Sequence, residues 1–252
     1  MDTAVDIHGV GVFAASTLRL MRKWHQSIAA MDRIDNTLAW IKTVDFHLQV
    51  PRTYLTEEDD SLPFRVTKID PLSGAIEFLD MAGKGMLGDK VIHTVTSKLF
   101  GRIHSVITLH PTLFGNVVGG TTTTEMSKIK SAFCGVSNEK ILIPLNCNGN
   151  HWCCIMIDLN MATIRYYDPI NSSYGANVRV LAEKLKDILS HSNPKRFRVS
   201  AYVTDMGVQV DNYSCGVFVL RAFEHFTGCS TLGHLSKQLL AYVRYRYLLL
   251  CV

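Results

Sequence analysis

Apolar residues change rhythm along this chain. Between residues 18 and 41 they recur at three- and four-residue steps, at Leu20, Trp24, Ile28, Met31, Ile34, Leu38 and Ile41. That spacing predicts one amphipathic helix, with Trp24 and Trp40 as core anchors. Val50-Pro51 ends the pattern. Glu57, Glu58, Asp59 and Asp60 read as a solvated acidic turn, and residues 64–78 as two short strands around a turn at 70–74. Gly88-Asp89 opens a second helix through Leu99, with Val91, Ile92, Val95 and Leu99 on one face. From Lys140 the pattern becomes that of strands: one at 141–145, then two at 151–157 and 163–168 around a turn, then one at 197–203. Between the last two, a helix over 178–189 turns Val180, Leu181, Leu185, Ile188 and Leu189 inward. A final helix, over 232–250, alternates Tyr and Arg with leucines. Residues 1–80 thus read as an N-terminal extension and residues 81–252 as the main domain.

One stretch stands apart. A polar, turn-prone segment from Gln209 runs straight into an apolar block that lasts to Phe226. Ser214 suits a helix N-cap, which puts Cys215 at the first helical position. Apolar residues then fall on nearly every face, so the helix should be buried all round. Unpaired N–H groups and the positive dipole end of such a helix point at the cysteine sulfur. They favour the thiolate, which is the nucleophilic form. Read alone, Cys215 fits either a nucleophile or a small core residue.

Composition narrows the class. The chain has 252 residues, is 47% apolar and carries a net charge of +4, enough for a substantial core and too little to suggest nucleic acid. Seven cysteines, at 134, 147, 153, 154, 215, 229 and 251, form no CxxC pair and no Cys/His set at zinc spacing. Reduced thiols in the nucleus or cytoplasm are the expectation, with no cofactor and no metal. No apolar run reaches membrane-spanning length, and no secretory signal is evident.

The paired strands at 151–157 and 163–168 make a geometric claim. With Leu159-Asn160 as the turn, Ile155 faces Ile164, Cys153 faces Tyr166 and His151 faces Asp168. Opposite Cβ atoms in such a pair lie about 4.5–5.5 Å apart. A carboxylate on one imidazole nitrogen fixes the tautomer and leaves the other nitrogen free to act on a nucleophile.

The order His151-Trp152, then Tyr166-Tyr167-Asp168, then Gln209-x5-Cys215-Gly216 resembles the ubiquitin-like-protein (SUMO) proteases, over roughly Met86 to the C-terminus. The resemblance implies an α/β papain-like cysteine-protease fold of α+β type, a central mixed sheet packed on a buried helix that starts at the catalytic cysteine. It makes 81–252 the catalytic domain. By position it implies Cys215 as nucleophile, His151 as base, Asp168 as its orienter, and Gln209 with the Cys215 N–H as oxyanion donors. Trp152, Met86, Asp89 and Gly216 would line the tunnel for a Gly-Gly tail. Two positions depart from the family pattern. The family opens with Trp-Leu-Asn-Asp where this chain has Met86-Leu87-Gly88-Asp89, and Ser214 replaces the more frequent Asp before the cysteine. The implied partner is a ubiquitin-like modifier and its conjugates, bound by a monomer. SUMO leads, with ubiquitin or NEDD8 as other choices. Rival readings are an acetyltransferase with the same His/acid/Cys order and a binding module with an idle site.

Overall fold

The computed structural model describes residues 2–46, 75–136, 138–192, 195–228 and 233–251. The chain opens with an antiparallel hairpin, β1 (Ala4–Ile7) and β2 (Gly11–Ala14), and runs directly into a long helix, α1 (Ala15–Ile41). The helix stands where periodicity predicts it, yet its apolar face is not core over its first half. Trp24 is 66% exposed, and Leu20, Ile28 and Met31 are exposed beside it. Only Ile34, Thr37 and Ile41 are buried, with Leu38 and Trp40 packed against the core from its rim. Periodicity specifies a face, not what covers it, and among the described residues α1 meets the body of the protein only through its last turns.

The acidic turn at 57–60, the Pro51 break and the first of the two strands expected over 64–78 lie outside the described residues. The second is a 3-10 helix, Ala75–Met81. It packs between α1 and the main body, where Arg33 bonds Asp80 at 2.8 Å.

Helix α2 (Asp89–Phe100) starts at the expected place. Asp89 and Lys98 sit at the ends that suit their charges, and Val91, Ile92, Val95, Thr96 and Phe100 form the buried face. Short strands β3 (Val106–Thr108), β4 (Asn116–Val118) and β5 (Thr121–Thr122) follow, then a short helix, α3 (Met126–Ala132). The sheet is built on β6 (Lys140–Cys147) and β7 (His151–Asp158), nearly every residue of which is buried. Strands β8 (Thr163–Tyr167) and β9 (Arg198–Ala201) complete it, with helix α4 (Ser173–Ser192) between them. Val180 is 47% exposed, against the expectation that it faces inward; Val178 and Ala182 join Leu181, Leu185 and Leu189 on the buried face. The chain ends with α5 (Cys215–Thr227) and α6 (Lys237–Leu249).

The sheet is mixed, in the order β5-β4-β6-β7-β8-β9, with β3 also paired to β6. Because side chains alternate along a strand, its two faces build two cores. Trp152, Cys154 and Met156 join α2, α5 and α6 in one. Cys153, Ile155 and Ile157 join α4 in the other. Helix α5 is buried from Cys215 through Glu224, as its all-round apolar pattern requires, and ends at Gly228 in the left-handed conformation.

The β7–β8 register differs from the expectation by two residues. Ile155 faces Tyr166 and Ile157 faces Ile164. The connection takes four residues rather than two: Asp158 Oδ1 accepts the Met161 N–H at 2.7 Å, and Ala162 adopts a left-handed φ of 49°. His151 therefore does not lie directly opposite Asp168. An even shift preserves the face, so both side chains still rise from the same side of the sheet.

Candidate active site

His151 opens β7, and Asp168 follows the last residue of β8. His151 Nε2 and Asp168 Oδ1 are 2.8 Å apart, a diagonal contact rather than the directly opposed pair expected. Asp168 is held from its other side by the start of α4. Its Oδ2 accepts the Ser172 N–H at 2.8 Å, the Ser172 hydroxyl at 2.9 Å and the Gly175 N–H at 3.2 Å, while Oδ1 also accepts the Ile170 N–H at 3.1 Å. The Ser172 and Gly175 N–H groups lie where α4 begins, so the carboxylate sits at the positive end of that helix. Burial opposes the Asp168 charge, but the bonds from His151 and Ser172 outweigh it and hold the carboxyl down at about 2.

Burial also opposes a charge on His151. Hydrogen bonds to Asp168 and Cys215, with their charges, overcome it and raise the imidazole to about 9. Since Nε2 faces Asp168, the nitrogen left for Cys215 is Nδ1. The ring is clamped further by Tyr174, stacked on it with centroids 4.9 Å apart.

Cys215 is the first residue of α5 and only 2% exposed. Ser214 occupies the N-cap position without capping through its side chain. Its hydroxyl instead donates to Asp211 Oδ2 at 2.8 Å, and Asp211 Oδ1 accepts the N–H groups of Tyr213 and Ser214 at 3.0 and 2.7 Å. Asp211 thus shapes the turn that delivers Cys215. Its carboxyl is lowered against the effect of burial by the bonds from Ser214 and Tyr213. An Asp two or three residues before polar N–H donors is an Asx-turn signal that was readable in the sequence. Arg244, by contrast, gave no such signal. From α6 it reaches the Tyr213 carbonyl at 2.8 Å and the Gly85 carbonyl at 3.0 Å, tying the turn before Cys215 to the segment before α2.

Gln209 is buried close by, anchored by its N–H on the Pro169 carbonyl at 2.9 Å. Its side-chain NH2 goes to the Asp211 carbonyl at 2.8 Å and to Asp211 Oδ1 at 3.1 Å, while Oε1 is buried without a partner. The amide is therefore turned to Asp211 and not to the sulfur. Trp152 lies on the opposite sheet face from His151. Its indole N–H donates to the Leu87 carbonyl at 2.6 Å, fixing the Met86–Asp89 segment against the sheet. Met86 is 41% exposed, and Asp89 is half-buried at the head of α2. Gly216 is a packing position. A Cβ there would lie 3.1 Å from Leu87 Cβ and from Ile92 Cδ1, so it sets how closely α5 approaches α2.

Linear spacing suggested no metal set. The fold nevertheless brings one donor atom each of His151, Cys153 and Asp168 within 4.8 Å of one another.

A thiol at the start of a buried helix, with a His–Asp pair at the neighbouring sheet end, is the architecture of a papain-like α/β cysteine peptidase. Residues 123–240, just under half of the chain, match the model of the Ulp1 protease family, C-terminal catalytic domain. Solved structures share the fold. A SUMO protease Ulp1 with its catalytic cysteine oxidised to a sulfenic acid superposes with a TM-score of 0.55 at 20% identity, covering 69% of this chain and 81% of that one. The C-terminal Ulp1 protease domain in complex with Smt3, the yeast ortholog of SUMO, gives 0.53 at 18% identity, covering 69% and 80%. No curated protein matches the chain in sequence. Among the described residues, no helix is long and apolar enough to cross a membrane.

Proposed function

We propose that the chain cleaves peptide or isopeptide bonds after the C-terminal Gly-Gly of a ubiquitin-like modifier, SUMO first among the choices. Cys215 is the nucleophile, His151 the base and Asp168 its orienter. One observation carries this reading: Asp168 occupies Nε2 of His151 at 2.8 Å, so that Nδ1 is left to the thiol that heads α5. The Cys215 thiolate attacks the carbonyl carbon. His151 protonates the leaving amine and then activates water to release the acyl-enzyme. The Cys215 N–H holds the oxyanion. Gln209 joins it by turning its NH2 away from Asp211; each such donor contributes about 3–4 kcal/mol in comparable sites. The catalytic unit is residues 81–252, with 1–80 as an extension.

The Gly-Gly requirement belongs to the same proposal: with Trp152, Met86 and Asp89 walling a narrow approach, a substrate Cβ would not fit. Binding of Smt3 by a protease of the same fold supports a SUMO-like partner. With a methionine in place of an indole, the Met86 wall is the softer one.

The test is a panel of modifiers carrying a C-terminal fluorophore, with SUMO, ubiquitin and NEDD8 as members. Turnover of at least one, abolished in Cys215→Ala with the fold retained, is the expected result. No turnover of any member, or turnover that survives in Cys215→Ala, contradicts the reading.

A further inference from the structure

Two buried cysteines beside the His–Asp pair have no part in the chemistry above. Cys147 is the register partner of His151 across β6 and β7, so their side chains rise on the same face. Opposed Cβ atoms in such a pair lie about 4.5–5.5 Å apart. Cys153 stands two residues further along β7 on that face, next to where Asp168 leaves β8. Three adjacent strands thus deliver two thiols, an imidazole and a carboxylate to one buried pocket, and three of these donors are already within 4.8 Å of one another.

We infer that Cys147, His151, Cys153 and Asp168 form a binding site for a borderline-soft divalent cation, Zn2+ foremost, and that the bound cation switches the peptidase off. The donor set decides the class. Thiolate and imidazole suit Zn2+, whereas Mg2+ and Ca2+ require oxygen ligands. Four donors of these kinds match a tetrahedral site, with bonds of about 2.0–2.3 Å; His151, Cys153 and Asp168 already stand together, and Cys147 joins them from the register position opposite His151. The outer support is in place. Asp168 is fixed by Ile170, Ser172 and Gly175, and the His151 ring by Tyr174. Such partners orient ligands toward a metal.

Inhibition follows from the two nitrogens of one ring. The cation takes Nε2, and the proton from that nitrogen and the two thiol protons pass to solvent. The remaining proton sits on Nδ1 of a neutral, metal-bound ring, which is a far weaker acid than the imidazolium and no longer protonates the leaving amine. The metal also takes the Asp168 oxygen that orients the base. The binding itself does not depend on the proposed function; only its inhibitory effect rests on that reading.

The full chain is titrated with Co2+ as a spectroscopic stand-in, and Zn2+ is added during turnover of the modifier substrate. The expected result is one metal per chain, a thiolate-to-cobalt charge-transfer band, and loss of turnover restored by a chelator. Cys147→Ala and Cys153→Ala keep metal-free turnover and raise the inhibiting Zn2+ concentration by about tenfold or more. Cys153→Ser repeats the test at conserved volume should an alanine variant fail to fold. Cys215→Ala keeps the cobalt spectrum. A spectrum without the thiolate band, equal Zn2+ sensitivity in the Cys147 and Cys153 variants, or binding lost with Cys215 overturns the inference. If no modifier is turned over, the proposed function fails, and the cobalt titration still decides the site.

Discussion

At the scale of residues, the chemistry rests on how Asp168 treats His151. Five hydrogen bonds converge on that carboxylate: three from backbone N–H groups, one from the Ser172 hydroxyl and one from His151. Held as an anion, it helps keep the imidazole protonated up to about pH 9. In the proposed mechanism the imidazolium supplies the proton for the leaving amine, so the alkaline limb of kcat/KM should fall near that pH. Asp168→Asn retains the shape and removes the charge. It should lower kcat/KM and move the alkaline limb down toward the ordinary histidine value of 6.5. A pH profile over the modifier substrate checks this, and an unmoved limb contradicts it. The placing of Cys215 at a helix start and of His151 beside Asp168 was legible because strand alternation and helix-start chemistry act locally. The aim of the Gln209 amide was not, because it depends on which acceptor Asp211 offers after the turn has closed.

At the scale of elements, long runs with a single period were read well and their surroundings poorly. Helix α5 was predicted as buried all round and is, since ten successive buried residues leave no polar face. Helix α1 was predicted from an equally regular stripe, yet Trp24 and Met31 are exposed, because the period carries no information about which element arrives to cover it. The strand pairing slipped by two residues for a local reason, a four-residue connection closed by Asp158, and the expected meeting of His151 and Asp168 survived because two is even. The link between Trp152 and Leu87 joins elements 65 residues apart, beyond the reach of any pattern. Trp152→Phe keeps the ring and removes the donor, leaving the buried Leu87 carbonyl unsatisfied. A loss of about 1–3 kcal/mol is expected. Denaturant unfolding measures the loss. Hydrogen exchange should rise across residues 85–89, where Met86 and Asp89 form the proposed wall. Unchanged stability and exchange would mean that the bond does not hold that wall.

At the scale of the whole molecule, the two C-terminal helices are locked by a buried ionic cluster. Glu224 of α5 takes Arg221 at 2.7 Å, Arg246 of α6 at 2.7 Å and the Tyr247 hydroxyl at 2.6 Å. The same helix α6 carries Arg244 to the turn before Cys215, so the cluster also fixes the surroundings of that cysteine. The alternation of Tyr and Arg in α6 was visible in sequence, but its meaning was not. Charged residues there face inward because a carboxylate on another helix awaits them. Glu224→Gln conserves volume and removes the negative charge that serves two buried arginines. About 3–5 kcal/mol of stability should be lost, measured by denaturant unfolding, and a loss below about 1 kcal/mol would contradict this account. The pH dependence of stability has two edges. Burial opposes the charges of Asp168, Asp211 and Glu224, but their partners keep all three carboxyls below ordinary values. Their contribution is present above the unfolded carboxylate range and is lost as pH falls through the folded values, toward 2 for Asp168. His151 acts oppositely: its contribution is full below 6.5 and is lost as pH rises through about 9.

The most direct test of the central claim is mass spectrometry of the chain after incubation with a SUMO-like modifier whose C-terminal glycine carries a thiol-reactive vinyl group. The account predicts one modifier joined through a thioether to Cys215. It also predicts no adduct in Cys215→Ala and much slower formation in His151→Ala. An adduct on any other cysteine, or equal labelling of Cys215 with and without His151, would contradict it.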